Sequence, residues 1–180
     1  RGSVNPTGIR ACYDEGKRCA ESLFYDFHRM HGLEIKVARL FNTYGPLMRS
    51  DDGRVVSNFI CQSILDHPIT MYGDGSQTRS FCHVNDLIRG LQLLMNTESS
   101  ILHPINLGNP GEFTLLELVN QIELFTEKKL QVQFLPLPPD DPKKRKPDIS
   151  IAMQELEWTP SISLKEGLKD TYEYFQNQLL

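Results

Sequence analysis

The sequence predicts an α/β protein, and three observations carry that prediction. Segments with apolar residues at helical spacing alternate along the chain with short β-prone runs. The runs Leu33–Leu40, Ile69–Tyr72, Pro104–Leu107 and Gln131–Leu135 each lead into a turn rich in Gly, Pro, Asn or Asp. Finally, 180 residues that are 39% hydrophobic and 23% charged suffice for one domain with its own core.

The first segment, to Met30, reads as a helix stopped by Gly32. Tyr13 and Lys17 lie one turn apart on one face, continued by Ala20, Phe24 and Phe27. That stripe is expected to bury its apolar part against a sheet, turning the phenol and the ammonium inward. An ammonium about 4 Å from a phenol favours the phenolate, the form that takes a proton from a hydroxyl. The competing reading is that Tyr-x-x-x-Lys arises by chance and both tips snorkel to water.

Leu33–Leu40 alternates as a strand and leads into Phe41-Asn42-Thr43-Tyr44-Gly45-Pro46. Ligands of open α/β sheets bind beyond the carboxyl ends of the strands, so Asn42 and Thr43 stand where a ligand would be met; equally, they start a turn closed by Gly45-Pro46. A second helix is expected from about Val55 to Leu65, burying Val56, Phe59, Ile60 and Ile64 and leaving Asn58 on the other side. After the strand Ile69–Tyr72 and the turn Gly73-Asp74-Gly75-Ser76, Thr78 to Val84 alternates as one strand. Arg79 shares parity there with Phe81 and His83, facing either solvent or a ligand anion.

Asn85 is expected to cap a helix from Asp86 to Met95, with Asp86 in a structural role at the positive end of the dipole. Pro104–Leu107 is a strand, and Thr114 with Glu117 forms a capping box for a helix to about Phe125, burying Leu115, Leu118, Val119 and Ile122. The strand Gln131–Leu135 precedes a proline-rich stretch, Pro136 to Pro142, and the basic run Lys143-Lys144-Arg145-Lys146. Such a run is a solvated face or, held by its flanking prolines, presents one planar guanidinium, that of Arg145, to a diphosphate or carboxylate. A short helix from Asp148 to Leu156 and an amphipathic one from Leu164 to Gln178 close the chain.

Composition excludes several classes. A net charge of -4 argues against a nucleic-acid partner. No apolar run approaches the roughly 18 to 20 residues of a membrane span, and no signal-peptide pattern opens the chain. Cys12, Cys19, Cys61 and Cys82 lack metal-pair spacing, so reduced thiols in a reducing compartment, and no metal site, are expected. The opening Arg1-Gly2-Ser3 and the loop chemistry of Asn5-Pro6-Thr7-Gly8 continue something upstream, so a fragment is expected.

Together, Tyr13-x-x-x-Lys17, the run from Ala38 to Pro46, Asp52-Gly53-Arg54-Val55-Val56-Ser57-Asn58-Phe59, Gly73 to Arg79 and Lys144-Arg145-Lys146-Pro147-Asp148 resemble the extended short-chain dehydrogenase/reductase superfamily and, within it, the UDP-glucuronic acid decarboxylase (UDP-xylose synthase) family. The resemblance covers essentially all 180 residues. It implies an NAD(P)-binding Rossmann-like domain, of which residues 1–48 are the C-terminal remnant, and a smaller α/β nucleotide-sugar-binding domain over 49–180, with 80–108 returning to the Rossmann sheet. It implies NAD as cofactor, UDP-glucuronate as substrate, and a homodimer when full length. Tyr13 is then the base for the sugar 4-hydroxyl, and Lys17 favours its ionised form and binds the nicotinamide ribose. Thr43 lies near the nicotinamide, and Arg54 is a further candidate cofactor contact. Asn42 holds the sugar or diphosphate, Asn58 the uracil end and Arg79 the diphosphate, and Arg145 meets the reacting sugar and its neighbouring phosphate.

No Gly-x-x-Gly-x-x-Gly turn follows a first strand, so the family's cradle for the dinucleotide phosphates is not in this sequence, and the chain by itself is expected to be inactive. Sister nucleotide-sugar 4,6-dehydratases or 4-epimerases, and a non-catalytic nucleotide-sugar-binding fragment, remain alternatives. The expected location is the cytoplasm, or the Golgi lumen in a eukaryote.

Overall fold

The computed structural model describes residues 5–9, 11–98, 101–137 and 146–180. In chain order they form α1 (Ala11–His31), β1 (Ala38–Leu40), β2 (Thr43–Tyr44), α2 (Val55–Ile64), β3 (Ile69–Tyr72), β4 (Thr78–Arg79), β5 (Cys82–His83) and α3 (Val84–Asn96). There follow β6 (Ile105–Leu107), β7 (Phe113–Thr114), α4 (Leu115–Thr126), β8 (Val132–Leu135), α5 (Ser150–Leu156) and α6 (Leu164–Leu179). The α/β class holds. Three ladders are parallel, β1 with β6, β2 with β5 and β3 with β8, while β4 pairs antiparallel with β7. Parallel neighbours require crossovers, and the helices supply them.

Two apolar clusters anchor these elements. One gathers Phe59 and Ile60 of α2, Ile69 and Met71 of β3, Leu118 and Ile122 of α4, and Leu168 and Phe175 of α6. Each such side chain contributes about 1.5 to 3 kcal/mol on leaving water, which holds α2 between β3 and α6. The other joins Leu94 of α3, Ile105 and Leu107 of β6, Ala152 of α5 and Trp158. Trp158 donates its Nε1 proton to the Asp86 carbonyl at 3.0 Å, so its polar atom enters the core satisfied.

Three helix ends follow directly from local side chains. Gly32 takes φ 65° and donates its N–H to the His28 carbonyl at 2.9 Å, closing α1. Thr114 and Glu117 form the expected box on α4, and Ser163 with Glu166 forms another on α6.

Four expectations are corrected. The strand expected over Leu33–Leu40 is confined to Ala38–Leu40, because its partner β6 offers only three residues for pairing. The expected single strand from Thr78 to Val84 is two, since Thr78–Arg79 pairs with β7 and Cys82–His83 with β2, and residues 80–83 are all buried rather than alternating. The cap of α3 is His83, whose side chain accepts from the Asn85 N–H, rather than Asn85. Finally, the face of α1 carrying Tyr13, Lys17, Phe24 and Phe27 looks outward, with Tyr13 60% and both phenylalanines 52% exposed. A ladder of two three-residue strands cannot cover a helix of 21 residues, about 30 Å long. What α1 turns towards β1 is Glu21, which accepts from Arg39 Nε at 3.0 Å, and Tyr25, whose hydroxyl is buried.

Candidate functional site

The first component of the site is on α1. An intact helix sets Tyr13 and Lys17 one turn apart, and the Lys17 Nζ lies 5.7 Å from the Tyr13 ring centroid, within cation–π range. The ammonium therefore sits over the ring, and both side chains are open to approach from outside.

The second component is a cavity of about 330 Å³ beyond the carboxyl end of β2, lined by Thr43, Tyr44, Pro46, Leu47, Met48, Arg54, Val84, Asn85 and Ile88. Its position is the one that parallel sheets favour for ligands. Thr43 and Arg54, both singled out from sequence, are brought together here. Thr43 is oriented by its hydroxyl donating to the Phe41 carbonyl at 2.9 Å. Asp52 accepts from the Arg54 N–H at 3.0 Å and from the Ser57 hydroxyl at 2.5 Å, fixing the entry to α2. On the opposite wall, α3 begins at Val84 immediately after β5. Leu47 holds φ at 68°, a conformation that side chains rarely adopt, and is 85% exposed at the mouth.

Beneath the cavity lie buried polar groups. Burial pushes the Tyr44 phenol well above its ordinary range, with the nearby Cys82, Asp86, Asp170 and Glu166 reinforcing it, so it stays neutral. Burial pushes the Cys82 thiol up to about 12, which removes it as a nucleophile. Neither residue was singled out as chemical by the sequence, and His83 and Asp170, 3.2 Å apart through Nε2 and Oδ2, were missed as a pair. Phe81, Cys82 and His83 are all buried in the structure, whereas the sequence reads the stretch as an alternating strand.

The remaining predicted residues are spread around these components. Asn42, half-buried between β1 and β2, accepts the Cys82 N–H on its carbonyl at 2.9 Å. Asn58, half-buried on α2, donates its backbone N–H to the Arg54 carbonyl. Arg79 on β4 donates Nη1 to the Thr78 carbonyl at 2.8 Å and is half-buried. Neither Tyr13, Lys17, Asn58 nor Arg79 lines the cavity. Arg145 lies outside the described residues, but Lys146, next in the basic run, reaches Glu112 Oε2 at 3.1 Å, and Glu112 accepts from the Thr78 hydroxyl at 3.3 Å. The described end of that run is thus tied to the strand that carries Arg79. Among the described residues no group of three or more His, Cys, Asp or Glu is placed to hold a metal ion, and no helix is long and apolar enough to cross a membrane.

The family described as the NAD dependent epimerase/dehydratase family matches residues 2–108, which include α1, the loop after β1 and the whole lining of the cavity. The chain belongs to the NAD dependent epimerase/dehydratase family. UDP-glucuronic acid decarboxylase 1 of Arabidopsis thaliana is 55% identical over 99% of the chain and 41% of its own length. UDP-glucuronic acid decarboxylase 1 of Danio rerio is 51% identical over 99% of the chain and 42% of its length. The chain thus spans about two fifths of these curated relatives. In three dimensions the epimerase/dehydratase chain is similar to UDP-glucuronic acid 4-epimerase from Bacillus cereus, solved in complex with UDP-glucuronic acid and NAD, with a TM-score of 0.87 and 32% identity over all of the chain and 58% of that one.

Proposed function

We propose that the whole protein is an NAD-dependent decarboxylase that converts UDP-glucuronate to UDP-xylose through a 4-keto sugar. The observation that carries this reading is the pairing of Tyr13 with Lys17 on one open face of α1, in a chain 55% identical to a decarboxylase. The residues present fit the nicotinamide end of NAD. Thr43 and Arg54 face one cavity, of a size suited to a ring and its ribose, and Lys17, outside that lining, is the cation assigned to a ribose hydroxyl. When bound, NAD supplies the acceptor for the C4 hydride and returns that hydride after carbon dioxide has left.

The chain's own residues handle protons and charge. Tyr13 takes the proton of the 4-hydroxyl as C4 becomes a ketone, helped by the neighbouring Lys17 ammonium, which favours the phenolate. The carboxylate on C5 is then β to a carbonyl. Its carbon–carbon bond breaks to release carbon dioxide, and the electron pair moves into an enolate on the C4 oxygen. Cations near that oxygen stabilise it, and Arg145 is assigned that role while also meeting the neighbouring phosphate. A proton at C5 and the returning hydride at C4, with the 4-hydroxyl proton given back by Tyr13, complete UDP-xylose. Asn42 is assigned to the sugar or diphosphate, Asn58 to the uracil and Arg79 to the diphosphate; the tie from Lys146 through Glu112 to Thr78 supports grouping the last with the basic run.

The division at residue 48, with 80–108 returning to the cofactor-side sheet, is supported by the parallel pairing of β1 with β6 and β2 with β5. A homodimer of the whole protein is supported by Leu23, Phe24, Phe27 and Met30, exposed along α1. Four free cysteines support the cytoplasm, with the Golgi lumen the alternative in a eukaryote. A second reading, 4-epimerisation of the same substrate, draws on the similarity to the Bacillus cereus enzyme. Mass spectrometry of products from the full-length protein given UDP-glucuronic acid and catalytic NAD separates the two. UDP-xylose with carbon dioxide is expected; an epimer of unchanged mass would overturn the decarboxylase.

A further inference from the structure

His83 is 2% exposed and sits where three elements meet. Its Nδ1 accepts the Asn85 N–H at 3.4 Å, which caps α3. With Nδ1 accepting, the proton of the neutral ring is on Nε2, and Nε2 lies 3.2 Å from Oδ2 of Asp170 on α6. The carboxylate is off the line of that N–H, so the contact is a close polar approach rather than a directed hydrogen bond. Two glycines make room for the ring. A Cβ on Gly45 would stand 3.3 Å from Nε2, and one on Gly167 would stand 2.8 Å from Cδ2. The Tyr44 ring meets the imidazole edge to face at 5.5 Å. Every neighbour except Asp170 and Gly167 is a cavity wall or directly abuts one, for Tyr44, Val84 and Asn85 line the cavity and Gly45 leads into Pro46.

We infer that His83 is a positioning residue for this cavity, tying the wall formed by Val84, Asn85 and Ile88 to α6 through Asp170. A core histidine that only filled space would not require a carboxylate on a helix 80 or more residues away in the sequence, about half of whose side-chain surface is open to water. The placement lets the angle of α6 set the position of the first turn of α3, and with it the width of the site. The inference rests on the reading that a cofactor or nucleotide-sugar occupies the cavity.

The test uses the full-length protein and four forms: wild type, Asp170→Asn, His83→Asn and the double variant. The asparagine oxygen at position 83 keeps the helix cap while withdrawing the Nε2 proton from Asp170. Calorimetric Kd values are taken for UDP and for NAD, with melting temperatures alongside. For at least one ligand, each single variant is expected to weaken binding about threefold to tenfold, and the double variant no more than either alone. Because Asp170 is exposed and outside the cavity, its variant keeps the fold and carries the test if His83→Asn does not. Unchanged Kd values for both ligands, or losses that multiply in the double variant, overturn the inference. UDP-xylose formation is scored separately. A wild type that binds either ligand, shows the coupled losses and makes no UDP-xylose sinks the decarboxylase reading alone, whereas one that binds neither ligand overturns both.

Discussion

Asp86 keeps a carboxylate 1% exposed because donors converge on it. Its Oδ2 accepts from the Ser161 and Ile162 N–H groups at 3.0 and 2.9 Å, and Oδ1 from the Ser161 hydroxyl and Arg89 Nη2 at 2.9 and 3.0 Å. Burial pushes its carboxyl up, but these partners together outweigh burial and hold it below the ordinary range. A carboxyl lowered by folding contributes stability in full above the unfolded value, about 3.9, and loses it as pH falls through the lower folded value. Urea denaturation of the full-length protein should therefore show Asp86→Asn giving a shallower loss of stability below about pH 4 than wild type. Asp86→Ala, which strands the same donors, should cost about 3 kcal/mol at pH 7. At the site itself, Tyr13→Phe removes the hydroxyl that moves the proton while leaving the ring under Lys17. Its kcat should fall by about 100-fold or more with the Kd for UDP unchanged, and a kcat within a few-fold of wild type would remove Tyr13 from its assigned role.

The helices were more legible in the sequence than the strands, for reasons visible in single residues. Thr114 and Glu117 announce α4 because a capping box is local, needing only groups three residues apart, and both hydrogen bonds form, at 3.1 and 2.7 Å. Thr114→Ala should cost about 1 kcal/mol, read as a lower urea midpoint at constant slope. The Leu115, Leu118, Val119 and Ile122 face was legible on the same ground, since periodicity survives whatever it packs against. Strand extent was not, because it belongs to the partner: Leu33–Leu40 alternates over its length, yet β6 pairs with only its end. The outward turn of Tyr13, Phe24 and Phe27 escaped for a related reason, as a stripe says which residues share a face and not whether something covers it. Thr43 was found through its position after a strand end and Arg54 through the family resemblance alone, whereas His83 went unnoticed because its partner is on α6. Where α6 crosses Tyr44, Gly167 admits no side chain, its notional Cβ lying 2.2 Å from the phenol oxygen. Gly167→Ala should cost about 1 to 3 kcal/mol and perturb the near-ultraviolet signal of Tyr44.

At the scale of the molecule, the sequence divides the tasks of a nucleotide-sugar enzyme unevenly. It holds the tyrosine, the lysine and the cavity, but no glycine-rich turn for the dinucleotide phosphates. The 180 residues on their own should therefore bind UDP at millimolar concentration in calorimetry while giving no measurable heat with NAD. Heat with NAD from this chain alone would show that the cavity suffices for the cofactor. The three parallel ladders also set a clock. Ala38 waits for Ile105, Thr43 for Cys82 and Ile69 for Val132, so none of these pairs can close until the intervening crossover has been made. Non-local pairing slows the search for the native state relative to a helical bundle of equal length. During synthesis, β1 and β3 leave the ribosome well before β6 and β8 exist, so these backbone edges are not yet paired with their partners. The nascent chain is thus most prone to aggregate in that interval, and slower translation upstream of Ile105 would lengthen the exposure rather than relieve it.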